Sequence, residues 1–227
     1  MVWKVLSVLA NPNKFFEERM KNEERLGIPA LIVLLSGAVG GVSAFLMTSK
    51  TMEILGEMMR MPAGAGGVFT SVMAFVSVIG AIVFSLLFWL IITTIFYGIS
   101  AIFGGEGSFK RTLEFVGYGY IPTIFAGIIV AALTYHLVST LTLPHIPAGA
   151  EPMEVSRIVQ AWAQGLKRHP ISMLSSAVSI LFTLWSANIW IFAVKHARGL
   201  TTRNALLTVG IPVGAYIAYS LCQLLLA

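Results

Sequence analysis

Five stretches of this chain contain no Asp, Glu, Lys or Arg: residues 28–49, 68–103, 119–143, 171–194 and 205–227. Each can cross a bilayer, because roughly 20 apolar residues in a helix span a ~30 Å hydrocarbon core. A helix also satisfies its own backbone hydrogen bonds, which hydrocarbon cannot do for it. The charges are confined to islands between these stretches and amount to 11% of the residues, against about 25% in a soluble domain. A soluble globule is excluded on that ground, and disorder is excluded by the 57% hydrophobic content. The expected fold is all-α: a polytopic five-helix transmembrane bundle with interfacial amphipathic helices. The second stretch, at 36 residues, is about 54 Å long as a helix. It overshoots one crossing and reads as one long helix, tilted or protruding, with Gly80 as the point of any bend.

The organisation expected is a cytoplasmic amphipathic segment over 1–27, then a five-span membrane domain over 28–227. The first span follows a charged segment, and Met47-Thr48-Ser49-Lys50 makes a poor cleavage site, so it does not read as a signal peptide. Orientation follows from Lys and Arg in the connections. The N-terminal segment, loop 104–118 and loop 195–204 together hold 10 of the 15. The opposite side holds Lys50, Arg60, Arg157, Lys167 and Arg168. The N-terminus is thus expected in the cytoplasm and the C-terminus outside, in the cell membrane.

Residues 2–26 read as two short amphipathic helices on the cytoplasmic leaflet. Asn11 caps the second and Pro12 opens it. That helix gathers Phe15, Phe16 and Met20 on one face and offers Glu17–Lys21 and Arg19–Glu23 as i,i+4 pairs. A second amphipathic stretch runs over 151–168, after the irregular 143–149. Val155, Ile158, Val159, Trp162 and Leu166 recur there at helical spacing.

Small residues mark where membrane helices approach closely. Ser36, Gly40 and Ala44 beside the pair Gly37 and Gly41 in the first span, Ser175, Ser179, Thr183 and Ala187 in the fourth, and Gly210, Gly214, Ala218 and Cys222 in the last form such stripes. They are expected to meet inside the bundle or to form a homo-oligomer seam. Charged relays are missing from every span, which argues against ion-coupled transport. His136 and Asn188 are the candidate polar site in the membrane. The sequence carries no HExxH, GxSxG or paired-carboxylate array. Gly104-Gly105-Glu106-Gly107-Ser108-Phe109-Lys110 lacks the spacing of a phosphate loop. A single cysteine excludes a multi-thiolate centre, and Met47, Met52, Met58, Met59 and Met61 have no Cys or His beside them. No cofactor, no metal, no nucleic-acid partner and no enzymatic activity are expected.

The two basic loops resemble each other. One reads Gly107-Ser108-Phe109-Lys110-Arg111, with Tyr120-Ile121-Pro122 after it; the other reads Gly199-Leu200-Thr201-Thr202-Arg203, with Gly210-Ile211-Pro212 after it. Ser108 and Thr201 or Thr202 can cap the helices that follow. Lys110, Arg111 and Arg203 then fall in first turns, where a cation opposes the helix dipole. Anionic headgroups, a partner's acidic groups or Glu106 would offset that. Together with Arg198 these residues are the candidate lipid or partner site.

The stretch from Phe103 to Leu113, with Gly117-Tyr118 and Pro122, resembles the loop between the second and third spans of the Yip family, the Ypt/Rab-interacting membrane proteins. Trp185, Trp190 and Gly199–Leu206 are similar to that family's last hairpin, and Asn11–Phe16 resembles its prokaryotic members. The resemblance implies five spans and a cytoplasmic N-terminus. Eukaryotic members bind Rab-type GTPases and shape membranes. This chain departs from them in having only about 27 residues before its first span, which makes it similar to the short prokaryotic form. The function expected is a scaffold that binds lipid or a protein partner in membrane organisation, the alternative being a passive channel or carrier for a small solute.

Overall fold

The computed structural model describes residues 2–58, 62–142, 144, 147 and 151–226. The described residues are helical apart from short connections. Two short helices, α1 (Val2–Ala10) and α2 (Pro12–Met20), precede the long α3 (Gly27–Met58) and α4 (Ala63–Ile102). A short α5 (Phe109–Tyr118) leads into α6 (Ile121–Thr140), and α7 (Pro152–Arg168) precedes α8 (Pro170–Ala197) and α9 (Thr202–Leu226). Five stretches are long and apolar enough to cross a membrane: Gly27–Glu53, Gly64–Ile102, Phe109–Thr140, Pro170–Ala197 and Thr202–Leu224. The chain is a multi-pass integral membrane protein.

The spanning helices pack in the order α4, α3, α6, α8, α9, and a lighter contact between α4 and α9 brings the two ends of that series together. Their outward faces are apolar. Phe84 is 67% exposed, Leu181 65% and Ile79 62%, exposure that water would penalise and lipid does not. α4 is continuous over 40 residues, about 60 Å, as the length of its uncharged run required.

Close approach is set by particular small residues. A Cβ at Gly37 would meet the Ser85 hydroxyl and come within 2.9 Å of the Ile82 Cα, and one at Gly41 would come within 3.0 Å of Val78. These two glycines seat α3 against α4. Ser85 uses the closeness to donate to the Val33 carbonyl at 3.2 Å. Ser36 and Thr123 share a hydrogen bond of 2.7 Å between α3 and α6. On α8 the hydroxyls of Ser175, Ser179 and Thr183 donate to carbonyls four residues back in their own helix. This hides their polarity without needing a neighbour. The stripe on α9 behaves differently: Gly210, Gly214, Ala218 and Cys222 are exposed, and a Cβ on either glycine would meet open space. α9 packs on α8 through Ala205, Val209 and Val213 instead, which are buried. That face, about 100° round the helix from the stripe, makes the intramolecular contact, so the stripe does not join its counterparts inside the bundle.

The core is concentrated at one end, beneath α1 and α2. Val8, Phe16, Val33, Phe96, Phe115, Ile189 and Val194 are fully buried there. Asn11 caps α2 through its side-chain oxygen, which accepts from the Lys14 backbone N–H at 3.1 Å, with Pro12 in the first turn. The apolar face of α2 rests on protein. The Phe16 ring lies 4.7 Å from Phe115 and Phe15 lies 5.0 Å from Tyr118, so the leaflet expected to receive that face is replaced by the bundle's own end. α7 spans the amphipathic stretch read from the sequence, with Val155, Ile158, Val159, Trp162 and Leu166 half-buried. Most of the lead-in 143–149, together with Met59, Arg60 and Met61, lies outside the described residues.

Because Gly37 has no room for a side chain, Gly37→Ala should lower stability by about 1–3 kcal/mol. Gly40, one turn on, meets nothing within 4 Å of a built Cβ. Gly40→Ala should therefore gain roughly 0.5–1 kcal/mol from helix propensity. Thermal unfolding of both variants in one neutral detergent checks the pair, and equal effects would contradict this packing.

Candidate functional site

The end of the bundle that carries α1 and α2 also gathers the connection 103–108, the connection 198–201 and α5. Within the connection 104–118 the helix that Ser108 caps is α5, a separate element ahead of α6, with Arg111, Thr112, Glu114, Phe115, Val116, Gly117 and Tyr118 buried. Two indoles hold it. Trp89 Nε1 on α4 donates to the Leu113 carbonyl at 3.0 Å, and Trp190 Nε1 on α8 donates to the Val116 carbonyl at 2.9 Å. The Val116 carbonyl lies in the last turn of α5, where it also accepts from Gly119 N–H at 3.0 Å; the Leu113 carbonyl lies one turn earlier. Gly117 and Gly119 admit the rings: a Cβ at 117 would lie 3.2 Å from the Trp89 ring, and one at 119 would overlap the Trp190 ring. Trp185, by contrast, is 39% exposed.

Glu114, on the inner face of α5, is fully buried. Its carboxylate is met by two guanidinium groups. Arg19 of α2 pairs with Oε1, and Arg111, one turn earlier on α5, donates to Oε2 at 2.8 Å. Arg111 is itself shared. It donates to the Asn22 carbonyl at 2.7 Å and lies 3.8 Å from Glu24 Oε1, and its guanidinium sits 5.4 Å from the centre of the Phe115 ring. Ser108 caps α5 by accepting from the Arg111 backbone N–H at 3.0 Å, while its hydroxyl donates to Glu24. The cluster thus stitches residues 19–24 to α5. Arg19 does not form the Glu23 side-chain pair expected from i,i+4 spacing; it reaches the Glu23 backbone carbonyl at 2.9 Å and spends its charge on Glu114. A carboxylate removed from water demands charge partners more strongly than an exposed one does.

Arg198 forms the second centre. It is 3% exposed. Its Nε donates to Ser100 Oγ at 2.8 Å, and its two terminal nitrogens donate to the carbonyls of Gly107 and Gly105. The guanidinium lies 4.0 Å from the centre of the Tyr97 ring. In return the Glu106 backbone N–H donates to the Arg198 carbonyl at 2.9 Å. One side chain therefore clasps the two loops whose sequences resemble each other.

The loops also end their helices alike. After α4, Gly104 takes φ +73°, and Gly105 N–H returns to the Ser100 carbonyl at 2.9 Å. After α8, Gly199 takes φ +63°, and Leu200 N–H returns to the Lys195 carbonyl at 2.9 Å. Both are left-handed glycine stops with a backbone bond from the second residue beyond the cap. The structural counterpart of Gly199 is thus Gly104 rather than Gly107. Gly107 has its own positive φ of +106° and presses on the Ala197 carbonyl. Each loop then restarts with a hydroxyl cap, Ser108 for α5 and Thr201 for α9, the latter accepting from Asn204 N–H at 3.3 Å.

The sequence-derived candidates therefore divide. Arg111 and Arg198 face inward and bind the protein's own groups. Lys110 and Arg203 are exposed in the first turns of α5 and α9, and neither pairs with a carboxylate among the described residues. Ser108 is exposed and engaged with Glu24. His136 and Asn188 are exposed on the outsides of α6 and α8 and do not converge on the bundle interior. Sequence reasoning missed Glu114, Asn13 and Trp89. Asn13 Oδ1 accepts from Lys195 Nζ at 3.2 Å and lies 2.9 Å from His196 Nε2, tying α2 to the end of α8. Arg111 and Glu114 at i,i+3 within an amphipathic decapeptide was the available signal for the first of these. No spacing announces the other two.

This constellation coincides with the segments that carry the family resemblance, and the family model for the Yip1 domain matches residues 6–222. The chain belongs to the Yip1 domain family. It is also similar to an uncharacterized protein of Methanocaldococcus jannaschii, 36% identical over 138 residues, which are 60% of this chain and 92% of that protein. No solved structure matches. Within this Yip1 domain, Phe103–Leu113, Gly117-Tyr118 and Trp190 turn out to be the parts that close one end of the bundle.

Removing one partner from a buried ion pair leaves the other uncompensated, at a cost of about 3–5 kcal/mol. Glu114→Gln should lose about 3 kcal/mol, and a double-mutant cycle of Glu114→Ala with Arg19→Ala should show coupling above roughly 1 kcal/mol. Arg198→Lys should cost about 2 kcal/mol, because a point donor cannot span Ser100, Gly105 and Gly107 together. Additive effects in the cycle, read as unfolding midpoints in detergent, would mean that the cluster does not act as a unit.

Proposed function

We propose that this Yip1-domain protein is a non-enzymatic scaffold of the cell membrane, with its N-terminus in the cytoplasm, and that it engages anionic lipid headgroups or an acidic protein partner at the closed end of the bundle. The observation that carries this reading is the placement of Lys110 and Arg203. The Arg198 clasp ties the loop that precedes α5 to the loop that precedes α9. Lys110 and Arg203 are exposed in the first turns that follow the two clasped loops, and no carboxylate of the described residues pairs with either cation. Cations at helix N-termini are locally unfavourable, and an external anion relieves both terms at once. The same clasp fixes the surface, so little ordering cost falls on binding. The neighbouring N-terminal segment exposes Lys14 and Lys21 together with Glu17 and Glu18, and its Arg25 pairs with Glu23 at 3.4 Å, so Lys110 and Arg203 carry the reading alone. Placement in the cytoplasm agrees with the distribution of Lys and Arg, since these segments hold 10 of the 15.

A juxtamembrane cation gains roughly 1 kcal/mol near an anionic surface. The double change Lys110→Gln with Arg203→Gln should therefore preserve folding and remove about 2 kcal/mol of lipid-dependent stabilisation. Arg111→Gln should instead destabilise the protein with or without lipid. Melting temperature is compared in neutral detergent with and without added phosphatidylglycerol, at low and at high salt. Equal stabilisation of wild type and the double variant at low salt would refute a lipid site here. Loss of a crosslinked acidic protein in the double variant, with the lipid effect unchanged, would assign the surface to a partner.

A further inference from the structure

The described residues of the opposite end leave a space between the helices. A cleft of about 380 Å³ lies there between α3, α6, α7, α8 and α9. Its lining is mixed: Met47, Leu137 and Leu224 are apolar, while Lys167, Ser172 and Gln223 bring polar groups. No Asp or Glu is among the residues that line it. Lys167 forms no ion pair, and Ser172 Oγ and the Gln223 amide make no hydrogen bond, among the described residues. The cleft also holds the junction where α7 ends and α8 begins, α8 being capped by His169 through a 3.3 Å bond from Ile171 N–H; the opposed ends of the two helix dipoles offset each other there, so the charge of Lys167 decides the sign. The hydroxyls of Ser175 and Ser176 donate to their own helix and leave lone pairs, not charge, toward the space.

We infer that this cleft binds an anionic amphiphile: a phosphate or carboxylate head held by Lys167, Ser172 and Gln223, with a single alkyl chain against Met47, Leu137 and Leu224. The charge argument selects the head. The cation of Lys167 and the free donors of Ser172 and Gln223, with no carboxylate lining the cleft, favour a negative group over a neutral or positive one. The apolar lining selects the tail, because it adjoins the lipid-facing surface marked by Leu174 (52% exposed) and Leu221 (43% exposed). A chain entering from the bilayer stays in an apolar environment along its whole length, which a soluble anion has no use for. This site is separate from the basic surface at the other end and shares no residue with it, so the two can fail independently.

The test uses the full chain in neutral maltoside detergent. Dodecyl phosphate carrying a diazirine on its chain is the probe; inorganic phosphate and dodecanoate are the comparison ligands. Wild type should bind dodecyl phosphate saturably below its micellar concentration, and photolabelling should fall on peptides that contain 134–137, 166–176 or 220–224. Dodecanoate should compete, and inorganic phosphate should bind far more weakly. Lys167→Gln should weaken binding about tenfold or more, as expected for loss of a charge-assisted contact. Lys167→Arg should keep it within a few-fold. Lys167 is exposed, so neither change should disturb folding, and Gln223→Leu provides a second variant that removes a donor and keeps the charge. Labelling that maps to the Lys110 and Arg203 end, unchanged affinity in Lys167→Gln, or inorganic phosphate binding as tightly as dodecyl phosphate would each overturn the assignment.

Discussion

A carboxylate buried without charge partners would cost more than a membrane bundle of this size can spare, and the closed end of this protein is arranged around meeting that demand at Glu114. Arg19 reaches it from α2 and Arg111 from α5 itself. Once those two are engaged, the segment between α2 and α3 is fixed, because Arg111 also holds the Asn22 carbonyl and Ser108 holds Glu24. Phe16 then has a seat against Phe115. A single buried negative charge thus accounts for why a short amphipathic segment lies on protein and not on lipid. It also explains why Arg19 abandons the pairing that its own helix offers.

The two similar loops have a common physical logic. Each must stop one long helix, turn, and start another within a few residues, close to a boundary where free backbone groups are expensive. A left-handed glycine and a hydroxyl cap solve the problem twice over. The carbonyls that remain exposed by the first turn are taken up by Arg198 from the second. Trp89 and Trp190 do the equivalent for the end of α5. The outcome is a rigid end with its inward cations spent and its outward cations, Lys110 and Arg203, free. Among the described residues the far end shows no comparable set of ion pairs, and a cleft lined by Lys167 lies between its helices. This asymmetry separates a firm platform from a region able to admit a guest.

What the sequence determined by itself was the part governed by solvation. Uncharged runs of 22 residues or more have only one low-energy home, so five spans could be counted directly from 28–49 onward. Local chemistry was equally legible: Asn11-Pro12 announced a helix start, and Ser108 and Thr201 announced caps, because those bonds join residues within three positions of each other. Tertiary structure decided everything that depends on which faces meet. Arg111 and Lys110 are neighbours in the chain and indistinguishable as cations, yet one is buried against Glu114 and the other faces out, since only the rotation of α5 separates them. Gly37 and Gly210 look equally suited to close packing, and only the first is used, because α9 turns its Ala205–Val213 face to α8. Arg198 read as one more loop charge, and its partners lie about 90 residues away at Gly105 and Gly107. Solvation acts on each residue where it stands and can be read one segment at a time; ion pairs and helix seams are relations between distant segments, and they exist only once the chain has folded.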